Sequence, residues 1–481
     1  MHTQHYLHRT LYVFVVLTLV LTTVLSASSQ PVTAADNSTY LLADIHPGSL
    51  PTEYMGFKRI TENLLFFAAR DSEHGYEPWV TDGTAEGTRL LLDIWPGSIN
   101  SMNPNSPDGP YPHDLLVYKD ELYFFAEEPD GFGLWKTGGT PETTVRVLDA
   151  DGISWLRLVE NQILFLNNEG LVATNGTPGN ITLIGTTQKP GKVSITAPVA
   201  FQGKLYYFTR EEVYSNDQTL VELWSCGLSG CDAAPIKSWE NVPGVTNWNR
   251  MKFAPYKTDN LFFFVGYSPA AGFEIWQSNG TTAGTEMVGE VIPGEGQIYT
   301  TIYAATANQF FFIGGTSLSD ETAFHLYATS GKAVGGIQQL NSQVGNGTLE
   351  VRDTYVYFID RQFPEGTSYW ARTNGTPEGT VRFDPGEPYR PGAFVEELNQ
   401  AAFFTARPMD VSNMELYIMP GQPSEMHLFA DIRPGTSGSS PRYITRVNGK
   451  LVFTADDGIH GRELWAAEWS NYQVFLPMIA R

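Results

Sequence analysis

One sequence unit recurs about nine times along this chain of 481 residues. Each copy joins an aromatic segment, a segment similar to Gly-x-Glu-Leu-Trp, an Asp/Asn-Gly-Thr turn and a segment closing on Asp-Ile-x-Pro-Gly. The first complete copy is Leu64–Phe67, Gly75–Trp79, Asp82–Thr88 and Asp93–Gly97. A unit of this size buries its apolar faces only by stacking on its neighbours, so the repeat constrains the fold strongly and a ligand weakly.

The aromatic segments set the period of the repeat. Their central residues are Phe66, Phe124, Phe165, Tyr207, Phe263, Phe312, Phe358, Phe404 and Phe453. The mean spacing of about 48 residues suits a four-stranded propeller blade, and aromatic runs bounded by Gly, Asp, Asn and Pro indicate strands. The sequence therefore predicts an all-β fold, a single β-propeller of about nine four-stranded blades. Eight blades is the alternative if the short third copy, Gln162 to Gly185, or the fourth, stretched around Cys226, forms no blade.

The two ends of the chain predict how the ring closes. The last copy, Leu451 to Trp465, lacks the strand that closes on Asp-Ile-x-Pro-Gly, and that strand stands near the N-terminus within Tyr40–Gly48. We therefore expect residues 40–46 to complete the last blade, which also argues against two separate propellers. The competing segment Val474–Ile479 contains Pro477, which cannot donate a hydrogen bond to a strand ladder.

Two local features accompany the repeat. The dipeptide Asp82-Gly83 is typical of a two-residue type I′ hairpin, in which both central residues need positive φ. The same turn is expected at Asn175-Gly176, Asn279-Gly280 and Asn374-Gly375, whose Asn-Gly-Thr triplets also match a glycan acceptor pattern. A third-strand tryptophan recurs at Trp79, Trp135, Trp224, Trp276 and Trp465, and packing between blades is the expected role. Trp370 stands one residue early, which predicts a bulge or a slipped register.

The N-terminus predicts export. An apolar run from Leu11 to Leu25 follows Arg9, and it is short for a membrane span. We expect residues 1–35 to be a signal peptide cleaved after Ala35, with cleavage after Ser28 and an uncleaved anchor as alternatives. The propeller domain is then 36–469, followed by a short tail, 470–481, whose role the sequence does not define. The predicted location is extracellular or at the cell surface, where a disulfide between Cys226 and Cys231 is the natural expectation.

Charge narrows the classes of partner. The chain holds 30 Lys and Arg residues against 52 Asp and Glu, a formal net charge of −22, and no run of basic residues interrupts it. Nucleic acid and anionic lipid surfaces are therefore not expected as partners. The acidity indicates a solvated, self-repelling surface, with divalent cations or a cationic ligand as the alternative.

Two loops are the candidates for chemistry. The first carries Asp71, His74 and Glu77, and the last copy carries Asp457, His460 and Glu463 at the same spacing. Such residues can ligate a cation or act as acid and base, although a loop motif that recurs with the repeat more often serves the turn. Signatures of serine nucleophiles, zinc hydrolases and phosphate loops are absent from the sequence. No cofactor is required by these residues, and calcium is the metal left open.

A family resemblance adds to this reading. The strings Gly461–Trp465, Trp79–Thr88 and Leu91–Ile94 resemble the bacterial ELWxxDGT repeat family, sometimes labelled hyalin-like. The resemblance covers nearly all of residues 40–469 and is specific in copies one, two, five, seven and nine. It implies an exported protein of the β-propeller type and supplies no catalytic residue.

Three functional hypotheses follow. The favoured one is an exported, non-enzymatic propeller whose surface serves adhesion, envelope organisation or binding of an extracellular polymer or protein. We expect a monomer with no integral membrane domain once the signal is removed. The alternatives are a secreted polysaccharide hydrolase or lyase that uses carboxylates in the central funnel, and a structural module stabilised by calcium.

Overall fold

The computed structural model describes most of the chain between Ser38 and Ser470. The described residues are 38–48, 55–102, 115–150, 154–167, 170–185, 193–195, 198–213, 218–242, 256–291, 298–315, 324–344, 349–352, 355–362, 367–384, 386, 388–409 and 412–470. The predicted signal peptide, 1–35, and the C-terminal run Val474–Ile479 lie outside these residues. Residues Thr39–Glu468 form one compact unit.

Nine antiparallel sheets, the blades of a β-propeller, make up this unit. The strands of the N-terminal half are β1 Thr39–Ala43, β2 Met55–Thr61, β3 Leu64–Arg70, β4 Tyr76–Thr81, β5 Arg89–Leu90, β6 Leu116–Tyr118, β7 Glu121–Glu128, β8 Gly131–Thr137, β9 Val145–Asp149, β10 Ser154–Val159, β11 Gln162–Asn167, β12 Gly170–Thr174, β13 Thr182–Gly185, β14 Val193–Ile195, β15 Val199–Phe201, β16 Lys204–Val213, β17 Gln218–Gly227, β18 Gly230–Cys231 and β19 Lys237–Val242.

The remaining strands build blades 5 to 9. They are β20 Tyr256–Lys257, β21 Phe262–Ser268, β22 Gly272–Ser278, β23 Glu286–Gly289, β24 Tyr299–Ala305, β25 Phe310–Gly315, β26 His325–Thr329, β27 Ile337–Gln343, β28 Glu350–Arg352, β29 Tyr355–Gln362, β30 Thr367–Thr373, β31 Val381–Arg382, β32 Tyr389–Leu398, β33 Ala401–Pro408, β34 Glu415–Met419, β35 His427–Ala430, β36 Arg442–Val447, β37 Lys450–Asp456 and β38 Arg462–Ala467. The described helical segments are single 3₁₀ turns, Pro141–Thr143, Lys332–Val334 and Pro423–Glu425. Within the described part of the chain, no helix has the length and hydropathy needed to cross a bilayer.

The blade count and the closure of the ring are confirmed. Each aromatic centre of the repeat lies in the second strand of its blade, and the first strands of blades 2 to 9, and of blades 9 and 1, contact one another in sequence. Both weak copies form blades. The third is β10–β13, and the fourth is a six-stranded sheet whose inner and outer strands are each split in two.

The N-terminal strand completes the last blade, as the sequence predicts. Strand β1 pairs antiparallel with β38, so the order in blade 9 is β36, β37, β38 and then β1 as the outermost strand. Leu42 and Ile45 are buried against blade 1 in a cluster that includes Phe67 and Trp79. On the inner side, the rings of Tyr443 in β36 and Phe57 in β2 stack with centroids 5.2 Å apart. The ring is therefore closed by apolar packing on both sides of this seam.

The core lies between blades, where the aromatic side chains of facing sheets meet. Phe66 of blade 1 and Phe124 of blade 2 have ring centroids 5.2 Å apart, and both are fully buried. Trp135 belongs to the same cluster, and Trp276 packs on Trp239 of the preceding blade. The recurring third-strand tryptophans thus fill the gaps between sheets, where large rings bury much apolar surface.

The predicted two-residue type I′ turn is wrong. Strand β4 ends at Thr81 and β5 begins at Arg89, so residues 82–88 connect them, and only Gly83 of the central pair has positive φ. The loop is built by side chains: Thr81 and Thr88 join their hydroxyls at 2.8 Å, and Thr84 donates to Asp82 Oδ1 at 2.6 Å. Hydroxyl pairs with the same spacing and the same 2.8 Å separation are Thr137–Thr144, Ser278–Thr285 and Thr373–Thr380. The hydroxyl pair therefore explains why a threonine recurs at the position of Thr88, at the end of this loop.

Neither of the two alternatives predicted at Trp370, a bulge or a slipped register, occurs. Strands β29 and β30 pair without interruption, from Val356 opposite Thr373 to Gln362 opposite Thr367. Because side chains alternate along a strand, the one-residue offset places Trp370 on the opposite face of its blade. There it packs on Phe404 of blade 8, and its indole donates to the Thr405 carbonyl at 3.2 Å.

Candidate functional site

A buried glutamate recurs in the third strand of four blades. Its carboxylate accepts backbone N–H groups from the loop that follows the outermost strand, an arrangement that we call the interblade latch. The latch glutamates are Glu77, Glu274, Glu415 and Glu463, each of them at most 1% exposed. Glu77, for example, lies two residues before Trp79, and blades 2 and 3 have Gly133 and Gly170 at the matching position, two residues before Trp135 and Val172.

The latch of blade 1 shows the full set of contacts. Glu77 accepts the N–H of Ile94 at 2.9 Å, the N–H of Ser101 at 3.0 Å and the Ser101 hydroxyl at 2.6 Å. Burial raises the pKa of Glu77 to about 7, even though these three hydrogen bonds act in the opposite direction. Glu415 repeats the pattern with Ser439, whose N–H lies 2.7 Å away, and burial raises the pKa of this carboxyl as well.

In blade 9 the same glutamate holds the other end of the chain. Glu463 accepts the N–H of Ile45 at 2.8 Å and the N–H of His46 at 3.4 Å. Nearby, Lys450 forms an ion pair with Glu468 at 2.8 Å and donates to the hydroxyl of Tyr40 at 3.0 Å. Two of the residues that the sequence nominates for metal binding, Glu77 and Glu463, are therefore buried in the latch and hold backbone.

The other nominated residues form two matching Asp–His pairs. Asp71 Oδ1 accepts the backbone N–H groups of Glu73 and His74 at 2.8 and 2.6 Å, and Asp71 Oδ2 lies 2.8 Å from His74 Nδ1. Asp457 makes the same contacts with Ile459 and His460 at 2.8, 2.8 and 2.6 Å. The aspartate thus caps a tight loop between the second and third strands, and the histidine adds a side-chain contact to that cap.

The pairing shifts the pKa values of both partners. The hydrogen bond that His74 donates to Asp71 raises the pKa of His74, and the one that His460 donates to Asp457 raises the pKa of His460. Burial opposes ionisation of the two aspartates, but the hydrogen bonds from the histidine and the backbone outweigh it and lower their pKa values. Among the residues that the structure describes, no three His, Cys, Asp or Glu side chains are grouped so as to hold a metal ion. Metal binding at the six nominated residues stays a prediction.

Blade 4 contains the disulfide that the sequence predicts. Cys226 in β17 and Cys231 in β18 are paired across the hairpin and joined by a disulfide, with Cα atoms 3.9 Å apart. This hairpin stands where blades 1, 3, 5 and 7 have an Asp/Asn-Gly-Thr loop, and Cys226 is fully buried against the third blade. The bond closes a short turn within one sheet.

A second set of charged residues lies on the innermost strands, and sequence reasoning missed it. These strands carry eight cations, Lys58, Arg59, Arg157, Lys257, Arg352, Arg390, Arg442 and Arg446. They carry only three anions, Glu350, Glu396 and Glu397. The basic residues are scattered along the chain, so no run reveals them. What could have revealed them is their position in the repeat, since six of the eight lie in the last four residues of an innermost strand.

Four of these cations lie on the innermost strands of blades 7, 9 and 1, on either side of blade 8, and we call Lys58, Arg59, Arg352 and Arg446 the axial cation cluster. Glu396 lies among them: Arg352 Nε is 3.5 Å from its Oε1, and Arg446 and Arg59 also lower its pKa, although burial raises it more. Burial and the adjacent Arg59 lower the pKa of Lys58. The Asn448 N–H donates to the Glu62 carbonyl at 2.8 Å, which places the turns after β36 and β2 side by side.

The fold defines the class of protein: a nine-bladed β-propeller closed by its N-terminal strand. No protein-family model matches the chain, and no curated protein matches it. Several solved structures are similar to it at low sequence identity. The β-propeller domain of the Trilobed protease from Pyrococcus furiosus aligns with 13% identity and a TM-score of 0.37 over 79% of this chain and 99% of that domain.

Two complete peptidases align as well. Oligopeptidase B from Leishmania major shows 7% identity and a TM-score of 0.42 over 76% of this chain and 55% of its own. Acylaminoacyl peptidase from Pyrococcus horikoshii shows 11% identity and a TM-score of 0.35 over 71% of this chain and 57% of its own. This chain thus spans little more than half the length of either peptidase. At these scores the similarities carry no argument about activity.

Proposed function

We propose that this protein is an exported, non-enzymatic β-propeller of the ELWxxDGT type that presents a binding surface to an extracellular polymer, with polysaccharide as the favoured class. The observation that carries the proposal is the use to which the repeat's carboxylates are put. Glu77 and Glu463 hold backbone N–H groups in the interblade latch, and Asp71 and Asp457 cap loops. The residues that recur with the repeat maintain the ring, and the ring provides the surface.

Export is supported by two features. The apolar run Leu11–Leu25 has the length and flanks of a signal sequence, and the Cys226–Cys231 disulfide suits an oxidising compartment. The formal charge of −22 keeps a large β-protein soluble and dispersed outside the cell.

Thermal melting of the chain from Asp36 to Arg481 tests the proposal. The protein is melted alone and with a panel of soluble neutral and anionic polysaccharides, because a ligand that binds only the folded state raises the midpoint by mass action. We expect at least one polysaccharide to raise it in proportion to the logarithm of its concentration, without release of reducing ends. Failure of every polymer to move the midpoint contradicts the polysaccharide proposal.

Calcium and EDTA are added in parallel. A rise with calcium and a fall with EDTA favours the calcium-stabilised module over the polymer-binding propeller. Substitution of His74 and His460 by Gln then shows whether the two Asp–His loops hold the ion.

A further inference from the structure

We propose that the axial cation cluster binds an anionic group, the carboxylate or sulfate of an extracellular polysaccharide. The groups that would contact it are the guanidiniums of Arg59, Arg352 and Arg446, on the innermost strands of blades 1, 7 and 9. This inference rests on the proposed function and names the chemical class of ligand for it.

The distribution of charge is the first argument. The chain as a whole carries −22, yet its innermost strands hold eight cations and three anions. Basic residues are therefore in excess on the strands that face the axis, while most of the acidic residues lie elsewhere. A cleft lined by one sign of charge concentrates ligands of the opposite sign. The axis is thus the part of this acidic protein where an anion is attracted.

The second argument is the chemistry of the side chains. Guanidinium groups carry five N–H donors in a planar fork that matches the oxygens of carboxylate and sulfate. Arg352 spends its Nε on the Val395 carbonyl at 3.0 Å and an NH1 on the Val351 carbonyl at 2.9 Å, which fixes its orientation. Arg59 pairs at 3.0 Å with Glu62, whose side chain is 78% exposed, and a surface pair of this kind is weak and readily exchanged.

Accessibility and charge balance complete the site. The side chains of Arg59 and Arg352 are 31% and 26% exposed, so both remain open to solvent. Two carboxylates offset part of this positive charge. Glu350 pairs with Arg352 at 3.1 Å, and Glu396, with a side chain 11% exposed, lies 3.5 Å from Arg352, while Arg446 and Arg59 also favour its ionised form. An incoming anion therefore competes with Glu396 for these guanidiniums.

The acidity of the rest of the protein selects the form of the ligand. A long polyanion lying across the surface would meet repulsion everywhere except at the axis. A single carboxylate or sulfate entering the axis, at a chain end or between neutral sugars, meets the attraction alone. The structure therefore favours a sparsely charged polysaccharide over nucleic acid or a densely charged polymer.

The test compares substitutions with opposite expected effects. Binding of a uronate-containing polysaccharide, a sulfated dextran, unmodified dextran and single-stranded DNA is measured by calorimetry at two salt concentrations. Arg59→Gln should weaken binding of the anionic polysaccharide about tenfold, since it removes one charge-assisted contact. Glu396→Gln, close in shape and without the competing charge, should tighten it. Lys332→Gln, which removes an exposed cation paired with Glu286 at 2.7 Å, should change nothing.

The outcomes separate this inference from the proposed function. Binding of a polysaccharide that neither Arg59→Gln nor Glu396→Gln alters keeps the function and overturns the site. Tighter binding of DNA than of any polysaccharide overturns the ligand class. Free glucuronate and inorganic sulfate are titrated as well. If these small anions bind but none of the polysaccharides does, the proposed ligand class is also overturned. Circular dichroism confirms that each variant is folded before its affinity is interpreted.

Discussion

Blades 1 and 9 contain the same latch but differ in what it holds. Glu77 secures the loop that follows its own blade, 17 and 24 residues along the chain. Glu463 secures residues 417 and 418 positions away, at the N-terminus. The hydrogen-bond chemistry is the same, but only the second contact joins the ends of the ring. The comparison teaches that a motif maintained by local geometry becomes a closure device when the chain is divided inside a blade.

Removal of the closing strand should have the largest effect. A chain starting at Pro51 lacks β1 and the segment held by Glu463, so blade 9 loses its outer strand and two buried aliphatic side chains, Leu42 and Ile45. Burial of two such side chains is worth roughly 3–6 kcal/mol, and an unpaired strand edge remains. We expect a large fall in melting temperature and aggregation. A chain starting at Asp36 is the control, and equal melting of the two chains contradicts closure by β1.

Alanine at each latch should come next. Glu77→Ala removes the acceptor of two buried N–H groups, and Glu463→Ala removes the acceptor of one buried and one partly buried N–H group. A fully buried N–H group left without a partner costs about 1–3 kcal/mol. Backbone amide hydrogen exchange distinguishes the two latches. Glu77→Ala should raise exchange around Ile94 and Ser101 only, whereas Glu463→Ala should raise it along β1 and at the start of blade 1. Confinement of the second change to Ile45 and His46 would show that the seam closes without the latch.

The stability that the Glu77 latch contributes should depend on pH. The folded-state pKa of Glu77 is raised from 4.5 to about 7, so the native state binds more protons than the unfolded state between these values. Its contribution to stability is therefore complete below about pH 4.5 and is lost as the pH rises through 7. The slope is at most about 1.4 kcal/mol per pH unit for one proton.

Glu77→Gln should flatten that part of the profile. Urea unfolding between pH 4 and 8 measures it for the wild type, Glu77→Gln and Glu463→Gln. Parallel profiles for the wild type and Glu77→Gln would show that the carboxyl titrates normally in the folded protein.

Loss of the disulfide should have the smallest effect. Cys226 and Cys231 are five residues apart, and closing so short a loop adds about 2 kcal/mol or less by the chain-entropy argument. The double variant Cys226→Ser/Cys231→Ser should melt a few degrees lower and keep the seam between blades 9 and 1 intact. A reduced wild-type sample serves as the comparison. Opening of the seam in either sample would mean that blade 4 stabilises the whole ring.

Much of the fold could be predicted because each copy repeats the same strand pattern, so an incomplete copy is recognised at once. The missing last strand and the spare first strand predicted the closure through β1, since an unfinished unit at one end matches an isolated piece at the other. The length of the connection between β4 and β5 could not be predicted from Asp82-Gly83 alone. The longer loop depends on Thr81 and Thr88, whose hydroxyls meet only when both strands are in place.

The candidate sites were harder to predict. Asp71, His74 and Glu77 form one motif in the sequence, but the structure turns Glu77 into the blade and leaves the Asp–His pair in the loop. A buried carboxylate that holds backbone and an exposed one that holds a metal use the same residue types at the same spacing. Burial separates the two roles, and burial depends on the neighbouring sheet.

The sequence by itself predicted about nine blades, with eight as the alternative, together with their order, the strand shared between the two termini and the disulfide. The sequence allows these predictions because the strand pattern and the repeat length are local properties that can be read from each copy. Only the tertiary structure decided which carboxylates are buried, which face Trp370 occupies and where the basic residues meet. Arg59, Arg352 and Arg446 are nearly 400 residues apart at the extremes, and the closure of the ring places them around Glu396 because every innermost strand faces the same axis.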